Sequence, residues 1–342
     1  MTSAAPSRRN RFWPYDLALP ADVPSPRTSL AWDQHARMAD FTRAAARDAV
    51  QPTTFDEQGV PTMQATVFAA LPVDELASLM TMLDDAEVVL GAFTDEELAT
   101  VAPPGDEPLV PLPLLDLVPE GEARDVVLGA ALRSLLAREL LAMADEPGVM
   151  VATGALNTVL AIRGRPNVVL IVEHVEEDDP SRVVVYGFAV QTERGRELLL
   201  MEESVAVLGH HEFVLRSVEG QATALAEWLG GGAEAPSTGN GHVPAGRTQL
   251  DAALDDLRAL TRVSVVRRDD DGTGEAEFSQ IEVALADGGE RGRFAVLFQT
   301  VDDDTEGILT VPLERLDLDA FFAGLLRLDL GPFNAALAAS RG

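Results

Sequence analysis

Histidine is the side chain best suited to acid–base chemistry near neutral pH, and this sequence contains five of them. His174 ends a predicted strand. His210 and His211 are adjacent, and neighbouring residues on a strand point to opposite faces. None of the five has the spacing of a zinc-binding motif, so we predict no metal site. A hydrolase that combines scattered acidic residues with His174 and His210 is an alternative hypothesis.

Acidic side chains form three short runs, each at a predicted turn between two strands. The runs cover residues 176–179, 269–271 and 302–304. Their composition resembles that of calcium ligands, but none has the alternating oxygen ligands, the glycine and the closing glutamate of an EF-hand loop. We therefore interpret the three runs as solvated hairpin turns.

Several classes of enzyme are excluded by residue types that the chain lacks. All 26 basic residues are arginine, so no lysine can form a Schiff base or bind phosphate in a P-loop. The lack of cysteine excludes thiol nucleophiles, iron–sulfur clusters and disulfides. Nucleophile-elbow and Ser-x-x-Lys motifs are missing, and Gly272–Gly274 lies in a predicted hairpin rather than at the start of a helix. We therefore predict a protein that is not an enzyme and needs no cofactor.

Charge limits the partners of the chain. Its 342 residues include 26 basic and 56 acidic side chains, which give a net charge of −30 at pH 7. Such a surface repels nucleic acid and anionic membrane, so neither is expected as a partner. With 46% hydrophobic and 24% charged residues, the composition is that of a globular protein. No segment has the pattern of a signal peptide or a membrane span, and we predict a cytoplasmic location.

Residues 1–64 differ from the rest of the chain. Prolines concentrated in residues 1–28 predict an extended arm, and a helix is predicted from about Leu30 to Val50. Residues 1–50 contain seven arginines and five aspartates, so this part is basic in an acidic protein. Two interpretations are open: the arm lies across its own acidic body, or it docks on another subunit.

Residues 65–229 are predicted to form a first α+β half. Thr94 and Glu97 have the spacing of a capping box at the start of a helix. Apolar periodicity predicts helices at Val73–Leu83, Thr94–Thr100, Arg124–Ala144 and Glu219–Leu229. Apolar runs predict strands at Ala65–Ala70, Glu87–Ala92, Thr158–Arg163, Val168–Val175, Val183–Gln191 and Glu197–Glu202. A proline-rich loop is predicted at 102–121.

A flexible linker is predicted at 230–247, followed by a second α+β half at 248–342. Its predicted helices and strands are Leu250–Leu260, Arg262–Arg268, Ile281–Ala286, Phe294–Thr300, Gly307–Pro312 and Asp317–Leu328. The segment Arg182–Met201 resembles Arg293–Val311, which indicates a degenerate internal repeat. Hairpin signals predict mainly antiparallel pairing. The predicted fold is therefore α+β, with two quasi-repeated halves of mainly antiparallel sheet and flanking helices. Two unrelated α+β domains are the alternative.

Several segments of the sequence resemble those of the EspG family, the cytosolic chaperones of ESX (type VII) secretion systems. The resemblance spans residues 65–330 and rests on hydrophobic patterns. These are Leu71–Leu79, Glu87–Gly91, Ala130–Ala137, Leu160–Ile171, Leu257–Val265 and Leu318–Leu325.

The resemblance implies two quasi-symmetric halves around a central antiparallel sheet and a non-catalytic function. The partner would be a secreted helical hairpin protein of PE/PPE or WXG-like type, which the chaperone keeps soluble until export. In the family, the client contacts the central sheet and a β-hairpin loop. By position, the candidate loops are 176–181 and 269–275, so the candidate client-binding residues are Glu176, Glu177, Asp178, Asp179, Asp269, Asp270 and Asp271. Plain solvated turns are the alternative for both loops, and arm-mediated assembly is the alternative function.

Overall fold

The computed structural model describes residues 66–67, 71, 73–83, 86–101, 112, 115, 117–144, 149–164, 166–176, 179–192, 195–207, 209–229, 259–270, 276–287, 293–302 and 305–341. The predicted arm and helix of residues 1–64 and the predicted linker at 230–247 lie outside these residues. So do most of the predicted 102–121 loop and residues 250–258 of the predicted Leu250–Leu260 helix.

In the described part of the chain, helices are interspersed with short strands up to α4, and two runs of four consecutive strands follow. Up to the centre of the chain they are β1 (Thr66–Val67), α1 (Val73–Leu83), β2 (Val88–Thr94), α2 (Asp95–Val101), α3 (Glu122–Ala137), β3 (Leu141–Met143), β4 (Met150–Ala152) and α4 (Gly154–Gly164). They continue with β5 (Val168–Glu176), β6 (Asp179–Thr192), β7 (Gly195–Val207), β8 (His210–Arg216), α5 (Val218–Trp228), β9 (Ala259–Asp270), β10 (Ala276–Asp287), β11 (Arg293–Asp302), β12 (Thr305–Pro312), a 3₁₀ turn (Leu313–Arg315), α6 (Leu318–Leu326) and α7 (Gly331–Arg341).

Nine strands form one sheet in the order β12-β11-β10-β9-β5-β6-β7-β8-β2. Every neighbouring pair in this sheet is antiparallel. A second sheet among the described residues has three strands in the order β1-β4-β3. The predicted α+β class with mainly antiparallel pairing is confirmed.

The nine-stranded sheet contains the predicted quasi-repeat. Strands β5–β8 form a meander that leads into α5, and β9–β12 form a second meander that leads into α6. The two meanders meet through β5 and β9, where Leu170 lies opposite Val265. The helices begin alike: the Ser217 hydroxyl accepts a hydrogen bond from the Gly220 amide, and the Asp317 carboxylate accepts one from the Ala320 amide. The two halves therefore share one continuous sheet.

The alignment predicted for the repeat is wrong by one strand. Arg182–Met201 belongs to β6 and β7, the second and third strands of the first meander, whereas Arg293–Val311 belongs to β11 and β12, the third and fourth of the second. The error began at Thr158–Arg163, which was predicted as a strand but lies in α4. This helix is buried from Leu156 to Ile162, so it lacks the polar face that normally distinguishes a helix from a strand. Strand β8 was predicted only through its first two residues, His210 and His211.

Two further boundaries differ from the prediction. Helix α3 ends at Ala137 rather than 144, because Glu139 adopts a left-handed conformation with φ of 57°. The Leu140 amide then donates to the Leu135 carbonyl at 2.9 Å, as in a Schellman-type helix end. Leu260, predicted as the end of a helix, lies in β9. In contrast, α1 has its predicted bounds, and the capping box is confirmed by two reciprocal hydrogen bonds of 3.2 Å between Thr94 and Glu97.

The two faces of the nine-stranded sheet have different coverings. On the first face, Leu170, Val185, Leu200, Val265 and Leu297 pack in one core with α5, α6 and α7. The aromatic part of that core is Phe321, Phe322 and Phe333. On the second face the alternate residues are also buried, and α4 packs there against β6. No helix in the described part of the chain is long and apolar enough to cross a membrane.

A candidate client-binding cleft and a buried ionic chain

A half-enclosed cleft of about 290 Å³ lies on the first face, where the end of α5 meets the central strands. Its wall carries five side chains that are polar or aromatic. They are His174 of β5, Trp228 of α5, Thr261 of β9, Asp287 of β10 and Arg293 of β11. Leucine side chains from β10, the 3₁₀ turn and α6 complete the lining.

His174 is placed in the cleft by strand register. It lies opposite Thr261 in the β5–β9 ladder, and its Nδ1 is 2.8 Å from the Thr261 hydroxyl. The indole of Trp228 packs edge-on against the imidazole, with ring centroids 5.7 Å apart. Trp228 is 36% exposed and also lines the cleft, so part of its indole ring is open to solvent there.

A cation and a carboxylate stand opposite each other on the other side of the cleft. Asp287 and Arg293 are directly paired in the β10–β11 ladder. The Arg293 guanidinium also donates to the carbonyl of Leu229 at 3.4 Å, next to the C-terminal end of α5. A cation is favoured there because the last carbonyls of a helix carry partial negative charge. The cleft therefore combines leucine side chains with a cation and a carboxylate that face each other.

The two histidines of the hydrolase hypothesis lie in different parts of the structure. His174 lines it, whereas His210 is an exposed residue of β8. Strands β5 and β8 are three positions apart in the sheet, which is about 14 Å at the usual strand spacing. Groups that exchange a proton must approach to roughly 3 Å. The two side chains do not share a site.

The predicted client-binding acids lie at two opposite ends of the sheet. Glu176 and Asp179 close the β5–β6 hairpin, with residues 177 and 178 outside the described part. Asp269 and Asp270 end β9, with residue 271 also outside it. Since β5 and β9 are antiparallel and Glu176 lies opposite Ala259, the end of β9 at Asp270 is about 35 Å from Glu176, roughly eleven residues along the strand.

Only the first of these turns adjoins the cleft. Glu176 pairs with Ala259, a residue of the cleft wall, and His174 lies two positions earlier on the same strand. The turn after Asp270 is at the far end of the central strands. A partner that fills the cleft can therefore reach the end of β5 at Glu176, whereas the end of β9 at Asp270 is distant from it.

A second cluster of functional groups is buried on the other face of the sheet. We call it the ionic chain, and its members are Asp95 of α2, His211 of β8, Glu203 of β7, Tyr186 of β6 and Arg163 of α4. His211 lies between two carboxylates, with Nε2 at 2.9 Å from Asp95 Oδ1 and Nδ1 at 3.0 Å from Glu203 Oε1. Glu203 Oε2 accepts the Tyr186 hydroxyl at 2.7 Å and lies 3.1 Å from Arg163 Nε. Asp95, Glu203 and His211 are fully buried.

The ionic chain shifts the pKa values of its own members. Burial by itself lowers the pKa of His211, but the hydrogen bonds to Asp95 and Glu203 outweigh it and raise this pKa. Burial raises the pKa of Glu203, yet the charge of Arg163 and the hydrogen bond from His211 bring it below its ordinary value. The pKa of Tyr186 is raised by burial and by the charge of Glu203. At neutral pH the tyrosine is therefore neutral, while Arg163, Glu203 and His211 favour their charged forms.

Sequence patterns predict one feature of the ionic chain and miss the rest. His210 and His211 were expected on opposite faces of a strand, and the structure confirms this: His210 is exposed and His211 is buried. A usable signal for Glu203 was its alternation with Leu199 and Met201, both fully buried. No local pattern could have joined Asp95 to His211, because 116 residues separate them.

A further polar cluster attaches α2 to α3. The Glu97 carboxylate accepts the Ser134 hydroxyl at 2.7 Å and an Arg138 guanidinium N–H at 2.9 Å. The same guanidinium lies 5.5 Å above the Phe93 ring and donates to the Ala92 carbonyl on the edge strand β2. These contacts connect the edge of the sheet with the helical layer beside it.

No protein-family model matches the sequence, and no curated protein is significantly similar to it. Among the described residues, no group of three or more histidine and acidic side chains is arranged to hold a metal ion. Function must therefore be inferred from the geometry of the cleft and of the ionic chain.

Proposed function

We propose that the protein is a non-catalytic, cytoplasmic adaptor that binds a secreted helical client, as the resemblance to EspG chaperones implies. One observation carries the proposal: the exposed Trp228 stands at the mouth of a half-enclosed cleft on the central strands of the sheet. Tryptophan is one of the residue types enriched among the hot spots that dominate protein–protein interfaces.

The size of the cleft supports a side chain as its occupant. Sites for small-molecule ligands usually measure about 300 to 1,000 Å³, and this cleft of about 290 Å³ is at the lower limit. It is large enough for one apolar anchor residue from a client helix. The leucines of the lining would cover that anchor, and Trp228 would pack along the client backbone.

Charge supports a client with basic residues near the anchor. Glu176, the first residue of the acidic run 176–179, pairs with Ala259 of the cleft wall, and the whole chain carries a net charge of −30. Complementary charges increase the rate of association and select against acidic competitors. The strong negative charge would also keep the complex soluble while it covers an apolar client surface. Glu176, Glu177, Asp178 and Asp179 are the candidate client-binding acids on this proposal.

The test is a pull-down with this chain as bait from its native cytosol, with mass spectrometry of the retained proteins. We expect a small helical protein in stoichiometric amount with the natural chain. Trp228→Ala should reduce its retention roughly 30-fold, the effect of losing an interface hot spot of about 2 kcal/mol. Val126→Ala is the matched control, because Val126 is an exposed apolar residue of α3 outside the cleft.

Two results would contradict the proposal in different ways. Recovery of nothing but copies of this chain contradicts a client-binding function. Equal retention of a client by the natural chain and by Trp228→Ala leaves the adaptor function in place but excludes the cleft as the contact site.

A further inference from the structure

We infer that the ionic chain is a proton-dependent latch that holds strand β2 and helix α2 on the edge of the nine-stranded sheet. The latch is independent of client binding. Its five side chains come from five different elements, and three of them have no exposed surface.

The geometry of His211 determines its protonation state. Both ring nitrogens lie within 3.0 Å of a carboxylate oxygen, one from Asp95 and one from Glu203. A neutral imidazole has one N–H and one bare lone pair. In that form one nitrogen would face a carboxylate oxygen without a proton between them, which is repulsive. The doubly protonated ring can donate to both carboxylates, so the observed arrangement fits the imidazolium ion.

Charge balance leads to the same conclusion. With His211 protonated, the two positive charges of His211 and Arg163 balance the two negative charges of Asp95 and Glu203. Loss of the histidine proton leaves one uncompensated negative charge in an interior where such a charge is expensive. The raised pKa of His211 and the lowered pKa of Glu203 agree with a proton that stays on the imidazole.

The other described neighbours of His211 on the adjoining strands are apolar or exposed. In the β2–β8 ladder it faces Phe93, with the Arg138 guanidinium on the ring of that phenylalanine. In the β7–β8 ladder it faces Val205, and its strand neighbours His210 and Glu212 are exposed. Tyr186 and Arg163 contact Glu203 on its other oxygen.

The part of the fold that depends on this proton is the edge formed by β2 and α2. Among the described strands, β2 has a single neighbour in the sheet, β8, and its ladder is interrupted by a bulge between Val89 and Gly91. At its end, α2 is attached to the sheet through the Asp95 side chain and through the Asp95 amide, which donates to the Gly209 carbonyl at 3.0 Å. Loss of the His211 proton directly weakens the attachment through the Asp95 side chain.

The direction of the pH effect follows from the raised pKa. A histidine with a raised pKa in the closed state stabilises that state fully below its open-state pKa, about 6.5. As the pH rises from there toward the closed-state pKa, each pH unit increases the opening constant about tenfold. The latch is therefore closed in mild acid and loosens toward alkaline pH.

Native-state hydrogen exchange of the whole chain tests the latch, with each rate divided by the intrinsic rate of its amide. We expect the β2 and α2 amides to open more readily than the β9–β10 amides. Their opening constant should rise about tenfold per pH unit from about pH 6.5. In His211→Gln the dependence on pH should disappear. His210→Gln is the matched control, since it alters the exposed neighbour on the same strand, and it should behave like the natural chain.

Two outcomes would overturn the inference. One is an opening constant for the β2 amides that never exceeds that of the β9–β10 amides, which would mean that the edge does not open separately from the rest of the sheet. The other is an opening constant in the natural chain that does not change with pH. If His211→Gln does not fold, both readouts remain available from the natural chain and the His210→Gln control.

Discussion

The two meanders of the sheet have one topology but different interiors. On the second face of the first meander, Glu203 and His211 are buried in the ionic chain. On the same face of the second meander, Phe294 and Val296 are buried in an apolar cluster with Ala286. Backbone pairing and helix capping are thus repeated, whereas the chemistry of the interior is not. The comparison teaches that the strand order of this fold does not require a charged core.

This difference has an energetic consequence. Replacement of a buried ion pair by well-packed apolar residues is often neutral or stabilising, while removal of one partner is strongly destabilising. The first half therefore carries charges that its fold does not need, and each of them depends on the others. The corresponding interior of the second half, the cluster of Phe294, Val296 and Ala286, depends on packing, which does not titrate.

The largest expected effect is that of Glu203→Gln. This substitution leaves His211 and Arg163 buried with Asp95 as the single opposing charge. We expect a loss of about 3 to 5 kcal/mol in the free energy of unfolding, measured by urea denaturation near neutral pH. The control is Glu212→Gln on the exposed side of β8, which should change the stability by less than about 0.5 kcal/mol. Equal effects of the two substitutions would contradict the account of the first half.

The corresponding change in the second half is Val296→Ala. Val296 is fully buried, and removal of about two methylene equivalents with a residual cavity should cost about 2 kcal/mol. Since the cluster formed by the described residues around Val296 contains no titrating group, the loss should be equal at about pH 6 and about pH 8.5. A loss that differs between the two pH values by more than about 0.5 kcal/mol would remove the contrast between the halves.

Substitutions at the N-caps of α5 and α6 test a feature that the two halves share. Ser217→Ala and Asp317→Ala should each destabilise the protein by about 1 kcal/mol, because each removes one side-chain acceptor from the first turn of a helix. Thermal unfolding of the two variants and of the natural chain measures both effects together. A large effect of one cap and none of the other would show that the two helices are not equivalent.

The smallest expected effects are at two left-handed residues. Glu139 and Leu328 have φ of 57° and 55°, and both follow the end of a helix. Glu139→Gly should stabilise the protein by roughly 0.5 kcal/mol, since glycine adopts this conformation without a steric penalty. Leu328→Gly should destabilise it, because Leu328 also packs against the core of α5, α6 and α7. The denaturant midpoints of the two variants show whether one substitution stabilises the protein and the other destabilises it, as expected, or whether both change the stability in the same direction.

Much of the fold was predictable because its signals are local. The capping box at Thr94 and the periodic helix Val73–Leu83 are encoded in consecutive residues, and so are the apolar runs that predict the strands at the centre of the sheet. Helix α4 failed because it is buried on all sides, so its pattern is that of an apolar run. The one-strand error in the repeat followed from that single misassignment.

The functional groups were less predictable, for a physical reason. His174 was recognised as a candidate, but its neighbours Thr261 and Trp228 enter the cleft through strand register and helix packing. The ionic chain combines residues from five elements, and its strength comes from burial, which is a property of the folded state. Sequence can indicate which residue types are able to do chemistry, and tertiary structure decides which of them meet.

The most direct test of the central claim is the protonation state of His211 in the natural chain. Imidazole ¹⁵N chemical shifts of histidine-labelled protein, with His211→Gln to assign the signal, report it at about pH 8, where an ordinary histidine of pKa about 6.5 is neutral. The account predicts an imidazolium ion with both nitrogens protonated, held between Asp95 and Glu203. A neutral ring with one unprotonated nitrogen at that pH would contradict it, and the first half would then have no charge-balanced core.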